Sequence, residues 1–242
     1  SMPDEDREKY IHVTFEKGEG QTENVEVVQG TTVDETKFAE MVKWAKTQAT
    51  KLNQKFVAWV TELSEDVTQI YTKFTKILHD VVLKPLFVET ETKIAEGTDG
   101  SLISAKDMLL SQNELQTLTE ETVKTRAKVK AFDKEGKKLP SNQIRVVGLD
   151  ELKQQTAKGT LTFSMTAEGG ESVAITVDAK ITQSEVVILG KTAKTLTFRG
   201  AGSQTYTVRL ANNVEVTKVT TGQDGIGTAT GLERDTTYAI TL

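Results

Sequence analysis

The chain has 242 residues, a formal net charge of −5 and no cysteine. Acidic and basic residues are interspersed, and an isoelectric point near 5.3 excludes the basic footprint of a nucleic-acid binder, whose pI usually exceeds ~9. Disulfide frameworks, thiolate metal sites and cysteine nucleophiles are excluded with the cysteines. A hydrophobic content of 37% suits several small modules with thin cores better than one large core.

No apolar run approaches the ~18–20 residues of a membrane span. Ser1-Met2-Pro3 lacks the basic and apolar regions of a signal peptide. Ser1 before Met2 reads as a cloning remnant, so export and anchoring signals are expected outside this sequence.

Pro3 to Lys9 are almost all charged, and residues 1–9 read as a disordered lead-in. Alternation then begins. Ile11, Val13 and Phe15 form one face of a strand, Gly18-Glu19-Gly20 a turn, and Val25, Val27 and Val28 a return strand, together a β-hairpin. Asp34 is placed to cap a helix. Behind it Phe38, Met41, Val42, Ala45, Ala49 and Leu52 fall on one helical stripe, with Lys37, Lys43, Lys46 and Lys51 off it. Phe56 to Val60 is a short apolar strand. Residues 65–79 carry two patterns. Val67, Ile70, Tyr71, Phe74 and Leu78 suit a helical face, and Thr68, Thr72 and Thr75 favour strand or loop. Val81 to Val88 is a strand, and the polar stretch 89–101 with Gly97 and Gly100 is a linker.

A second module opens with the strand Asp107 to Leu110. Thr117 and Glu120 stand at capping-box spacing before a short helix. Val129–Phe132 is a strand, Asp133 to Gly136 a tight turn, Ile144–Val147 a strand, and Asp150–Gln155 one or two helical turns. Leu161, Phe163 and Met165 pair across a Gly169-Gly170 turn with Val173, Ile175 and Val177. From about Glu185 the chain is strand and turn. The strands expected there are Val186–Leu189, Leu196–Phe198, Tyr206–Leu210, Val214–Val219 and Tyr238–Leu242. A core of that size is marginal alone, so it leans on its neighbour or lacks strands.

Residues 10–90 resemble the Listeria–Bacteroides repeat, the β-grasp unit of internalin-type B repeats. Val13-Thr14-Phe15, the Gly18–Gly20 turn, Val25 to Gly30, Thr32-Val33, Phe56-Val57-Ala58-Trp59 and Lys84-Pro85-Leu86-Phe87 carry the resemblance. Two departures stand out. A helix at Asp34 to Leu52 replaces the family's short loop, and Ala58 stands where the family has Gly. The second module is similar to an immunoglobulin-like domain of bacterial surface proteins in Ile103 to Asp107, Leu118-Thr119, Lys128 to Asp133 and Gly159 to Val177. The last part is similar to a bacterial Ig-like or fibronectin type III end. Leu232, Thr236, Tyr238 and Ile240 match its final tyrosine strand, without the usual early tryptophan.

The resemblance implies a mostly β protein with one α+β module. A β-grasp module with an inserted helix spans 10–94. Ig-like β-sandwich modules follow in tandem at 95–183 and, small and all-β, at 184–242. It also implies an extracellular, Gram-positive cell-surface or cell-wall location and a non-catalytic adhesion or spacer role. The expected partners are host extracellular-matrix protein, mucin or glycan, and neighbouring modules of the same chain. No nucleic acid, membrane insertion or cofactor is expected. The alternative is a set of accessory modules from a secreted carbohydrate-active enzyme.

The candidate chemistry is sparse. His12 and His79 are far apart and lack companions for zinc, and His12 falls on the polar face of its strand. No Gly-x-Ser-x-Gly elbow positions a serine. Gly222 to Gly227 lacks the Lys-Ser/Thr of a phosphate loop and, like Gly200-Ala201-Gly202, reads as a turn. Asp133, Glu135 and Asp150 are turn residues without a calcium-loop pattern. Lys128 and Asn142 are a candidate isopeptide pair by the Ig-like resemblance. No catalytic, cofactor or metal residue is therefore assigned. The one binding candidate is Trp44, which either edges the core or stands on the surface.

Overall fold

The computed structural model describes residues 9–165, 173–182 and 186–242. Residues 1–8 of the lead-in expected at 1–9, the Gly169-Gly170 turn and Glu185 lie outside the described residues. The fold is mostly β, with 46% of the described residues in strands and 15% in helices. The chain divides into two compact units. One comprises residues 1–108, 120–148 and 160–178, the other 109–119, 149–159 and 179–242.

The first unit opens with β1 (Tyr10–Gly18) and β2 (Gln21–Val28), paired antiparallel with Val13 opposite Val25. Ile11, Val13 and Phe15 are buried, as their alternation requires. Gly18, Glu19 and Gly20 all take positive φ, so the glycines relieve a turn that other residues would strain. Helix α1 (Glu35–Lys51) begins at Asp34, whose Oδ1 accepts from Lys37 N at 3.0 Å. Its stripe Phe38, Met41, Ala45 and Ala49 is buried. Leu52, placed on that stripe by spacing, is instead the C-cap and exposed, because the helix has ended there.

β3 (Gln54–Val60) and β4 (Val81–Glu89) complete a four-stranded sheet in the order β2-β1-β4-β3. β1 and β4 run parallel, with Val13 opposite Val81, while β3 and β4 are antiparallel. The core under α1 holds Phe15, Phe38, Met41, Ala45, Trp59 and Leu83.

Residues 61–80 form no helix. Their backbone groups pair on two sides instead. Tyr71 N donates to Trp59 O at 2.8 Å, and Ile70 N donates to Gly136 O at 2.8 Å. Val67, Ile70 and Ile77 are buried, whereas Phe74 and Leu78, required by a helical face, are exposed. The threonine pattern was therefore the better guide.

The expected linker also contains structure. β5 (Lys93–Glu96) pairs antiparallel with β6 (Leu102–Ala105), and β8 (Lys130–Phe132) adds to β6. Polar composition concealed β5 because its side chains are only half-buried. The turn after β8 is as expected. Asp133 Oδ1 accepts from Glu135 N and Lys137 N, each at 2.9 Å, and Gly136 has a φ of 83°.

β7 (Met108–Ser111) precedes a single turn, α2 (Gln112–Leu115). The capping box lies here, between Ser111 and Glu114, and not at Thr117 and Glu120. Helix α3 (Glu120–Arg126) starts at Glu120, so Thr117 is too early to cap it; its hydroxyl donates to Glu114 O at 2.8 Å. β9 (Ile144–Val147), the turn α4 (Leu149–Leu152), β10 (Lys158–Met165) and β11 (Ala174–Thr182) follow, and a sheet runs in the order β7-β11-β10-β9. Leu161, Phe163, Met165, Val173, Ile175 and Val177 are all buried.

Residues 186–242, which belong to the second unit, hold two three-stranded sheets. β12 (Val187–Lys191), β13 (Leu196–Arg199) and β16 (Ile226–Ala229) form one. β15 (Glu215–Thr220), β14 (Thr205–Leu210) and β17 (Tyr238–Thr241) form the other. β16 was missed because Gly222 to Gly227 reads as turn. Only Gly222–Gly225 is one, closed by Gly225 N to Gly222 O at 3.0 Å. The core here buries Phe198, Tyr206, Val208, Ala229 and Leu232, with Leu196, Val219, Tyr238 and Ile240 half-buried against the last three.

Candidate functional site

Sequence placed the binding candidate at Trp44. In the fold Trp44 is half-buried at the edge of the core. It stacks on Trp59 with ring centroids 6.2 Å apart and planes 21° from parallel, and Lys17 Nζ lies 5.4 Å from its ring centroid. Of the two open readings, the core edge is the one the structure takes.

Trp59 is the hub of that aromatic group. It is fully buried, meets Phe15 edge-on at 4.9 Å, and meets Phe56 at 5.8 Å. It holds these contacts because β3 turns Trp59 toward α1. Its Nε1 is nevertheless buried without an acceptor among the described residues. An unsatisfied buried N–H is costly and rare.

Trp59 also lines a cleft of about 700 Å³ in the first unit. One wall is α1, with Phe38, Val42 and Thr47; the opposite wall is Phe56, Trp59, Ile70 and Tyr71. The loop at Gly97 to Gly100 and the Phe74 ring close one end. Gly100 has a φ of 90°, and a side chain there would press on Phe74. Burial pushes the Tyr71 hydroxyl above its ordinary range, so it stays a neutral donor.

The rim is charged. Lys43, Lys46 and Lys73 stand against Glu35 and Glu96. Lys73 Nζ reaches Glu35 Oε1 at 3.5 Å and lies 5.1 Å from the Phe74 ring centroid. Among the described residues, Lys43 and Lys46 have no ion pair. Spacing marked both lysines as off the buried stripe but gave no sign of a cleft, because its far wall comes from residues up to Leu102.

The remaining candidates are spread over the fold. His79 adjoins Asp80 in sequence, and parallel pairing of β1 with β4 brings the backbone of His12 beside the same aspartate. His12 N donates to Asp80 Oδ1 at 2.8 Å, and His79 Nδ1 lies 2.8 Å from Asp80 O. His12 Nδ1 is 3.0 Å from Asn24 Oδ1 on the exposed sheet face. Among the described residues no group of three or more His, Asp or Glu side chains is arranged to hold a metal ion. Asp133 closes its own turn, Glu135 pairs with Lys137 at 3.6 Å, and Asp150 is in the first turn of α4. Lys128 and Asn142 are both exposed. Gly200 lies against the Tyr206 hydroxyl, and that contact explains the glycine.

A second concavity, in the second unit, lies between β12 and β17 and is lined by Ile188, Leu196, Leu232 and Tyr238. No helix of the described residues is long and apolar enough to cross a membrane. No protein-family model matches the chain, and no curated protein is detectably similar to it.

Proposed function

We propose that this chain is a non-catalytic segment of a bacterial cell-surface protein, acting as an adhesion module or as a spacer. The observation that carries the reading is the chain's construction from several small sheets, each with its own apolar face. Strand-rich modules of that kind hold a tip away from a wall, and their loops and edges serve as contact surfaces.

The sheet order β2-β1-β4-β3, with parallel central strands under α1, supports a β-grasp-like module at 10–94. The two three-stranded sheets support an Ig-like or fibronectin III-like module at 184–242. Within it Tyr238 Oη accepts from Glu233 N at 2.7 Å, the tie of a tyrosine corner. The Ig-like module at 95–183 rests on buried alternation in β10 and β11. The proposed setting is extracellular, on the cell surface or in the cell wall. The proposed partners are host matrix protein, mucin or glycan, together with neighbouring modules.

The test is an array of glycans, mucins and matrix proteins probed with the whole chain. Saturable binding to one class assigns adhesion, and binding to none assigns the spacer role. Turnover of any arrayed glycan would contradict the non-catalytic reading.

A further inference from the structure

The cleft beside α1 asks for a particular kind of occupant. Its volume of about 700 Å³ lies within the ~300–1,000 Å³ of small-molecule sites. Its walls are largely apolar, through Phe38, Val42, Phe56 and Ile70. An apolar body would be held there by burial.

A further observation asks for a negative charge. Lys43 and Lys46 lie on the rim without an ion pair among the described residues. They stand one turn apart on α1, so one anion can sit between them. Glu35 is engaged by Lys73, which leaves Glu96 as the one unengaged acid in the lining. A carboxylate supplies that charge and can accept from both ammonium groups.

We propose that this cleft binds a small amphipathic carboxylate, its apolar chain or ring between α1 and the Phe56–Ile70 wall and its carboxylate at Lys43 and Lys46. The inference does not depend on the adhesion or spacer role.

The chain reports on the site itself. It has two tryptophans, and they stack on each other beside the cleft. Decanoate, decan-1-ol and decylamine are titrated below their aggregation limits into the whole chain, with tryptophan emission as the readout. Decanoate is expected to saturate and to bind about fivefold more tightly than decan-1-ol, the ratio that ~1 kcal/mol of partly exposed charge pairing gives. Decylamine is expected to bind most weakly.

The double variant Lys43→Ala, Lys46→Ala should keep the wild-type circular dichroism and lose the preference for decanoate. Both positions are exposed, so the fold does not depend on them. Thr47→Phe, which puts a ring into the lining from an exposed helix position, should weaken all three ligands together. Three results would overturn the proposal. They are equal binding of decanoate and decan-1-ol, an unchanged preference in the lysine variant, and no saturable response to any ligand.

Discussion

Trp59 and Tyr206 show how single side chains organise the two units. Trp59 is a fully buried ring touching Phe15, Phe56 and Trp44. Trp59→Ala should cost about 3–5 kcal/mol through the cavity it leaves. Trp44→Ala, at the edge of the same group, should cost clearly less. Urea unfolding of both variants measures the difference, and equal losses would remove Trp59 from the centre. Tyr206 is almost fully buried, and its Oη accepts from Ala201 N at 2.6 Å. Tyr206→Phe keeps the ring and orphans that N–H, so about 1–3 kcal/mol should be lost. Tyr238 makes the same five-residue tie to Glu233 N from a half-buried position. There water can replace the hydroxyl, so Tyr238→Phe should cost less than Tyr206→Phe in the same assay. Gly136 is a third such point. It has a φ of 83°, and a Cβ would collide with Ile70 O. Gly136→Ala should therefore cost more than the ~1 kcal/mol of an ordinary glycine replacement.

Among the elements, those with local causes were legible in the sequence. The hairpin of β1 and β2 follows from alternation and a glycine turn, and α1 from its cap and stripe. Asp34→Ala should lower stability by about 1 kcal/mol, read from the urea midpoint. Elements with distant causes were not legible. β5 is polar and short, and exists because β6 pairs with it. Residues 65–79 have a helical spacing of apolar groups, but Trp59 O and Gly136 O take their amide donors from either side. The cleft is hidden for the same reason, since its walls meet only when α1 packs on β3. The backbone of His12 reaches Asp80 through a parallel pairing that local pattern does not encode.

One ionic tie between elements has a pH signature. Lys93 Nζ lies 2.9 Å from Asp107 Oδ1 and 3.5 Å from Asp178 Oδ2, and Asp178 N donates to Asp107 Oδ1 at 2.8 Å. Burial pushes the Asp107 carboxyl up, but the Asp178 N–H and the Lys93 ammonium outweigh it and hold the group below its ordinary 3.8. A depressed carboxylate contributes stability above its unfolded pKa and loses it as pH falls through the folded value. Lys93 is held above its ordinary 10.5, chiefly by the hydrogen bond to Asp107, so its share is complete below that value and lost at higher pH. Asp107→Asn should flatten the loss of stability below about pH 4. Because the pair is partly exposed, the effect should be no more than ~1 kcal/mol. Thermal midpoints from pH 2 to 7 provide the check, and an unchanged acid limb would contradict the assignment.

Across the whole molecule, the alternation of apolar and polar residues pointed to the class that the fold shows, a mostly β protein. The adhesion or spacer role comes from resemblance and architecture together, so its most direct test concerns where the chain stands in the cell. Antibodies raised against the whole chain are applied to intact bacteria of the source strain, before and after brief trypsin treatment, and to lysed cells. The account predicts that intact cells are labelled and that trypsin removes the label. Labelling confined to the cytosol of lysed cells would contradict it.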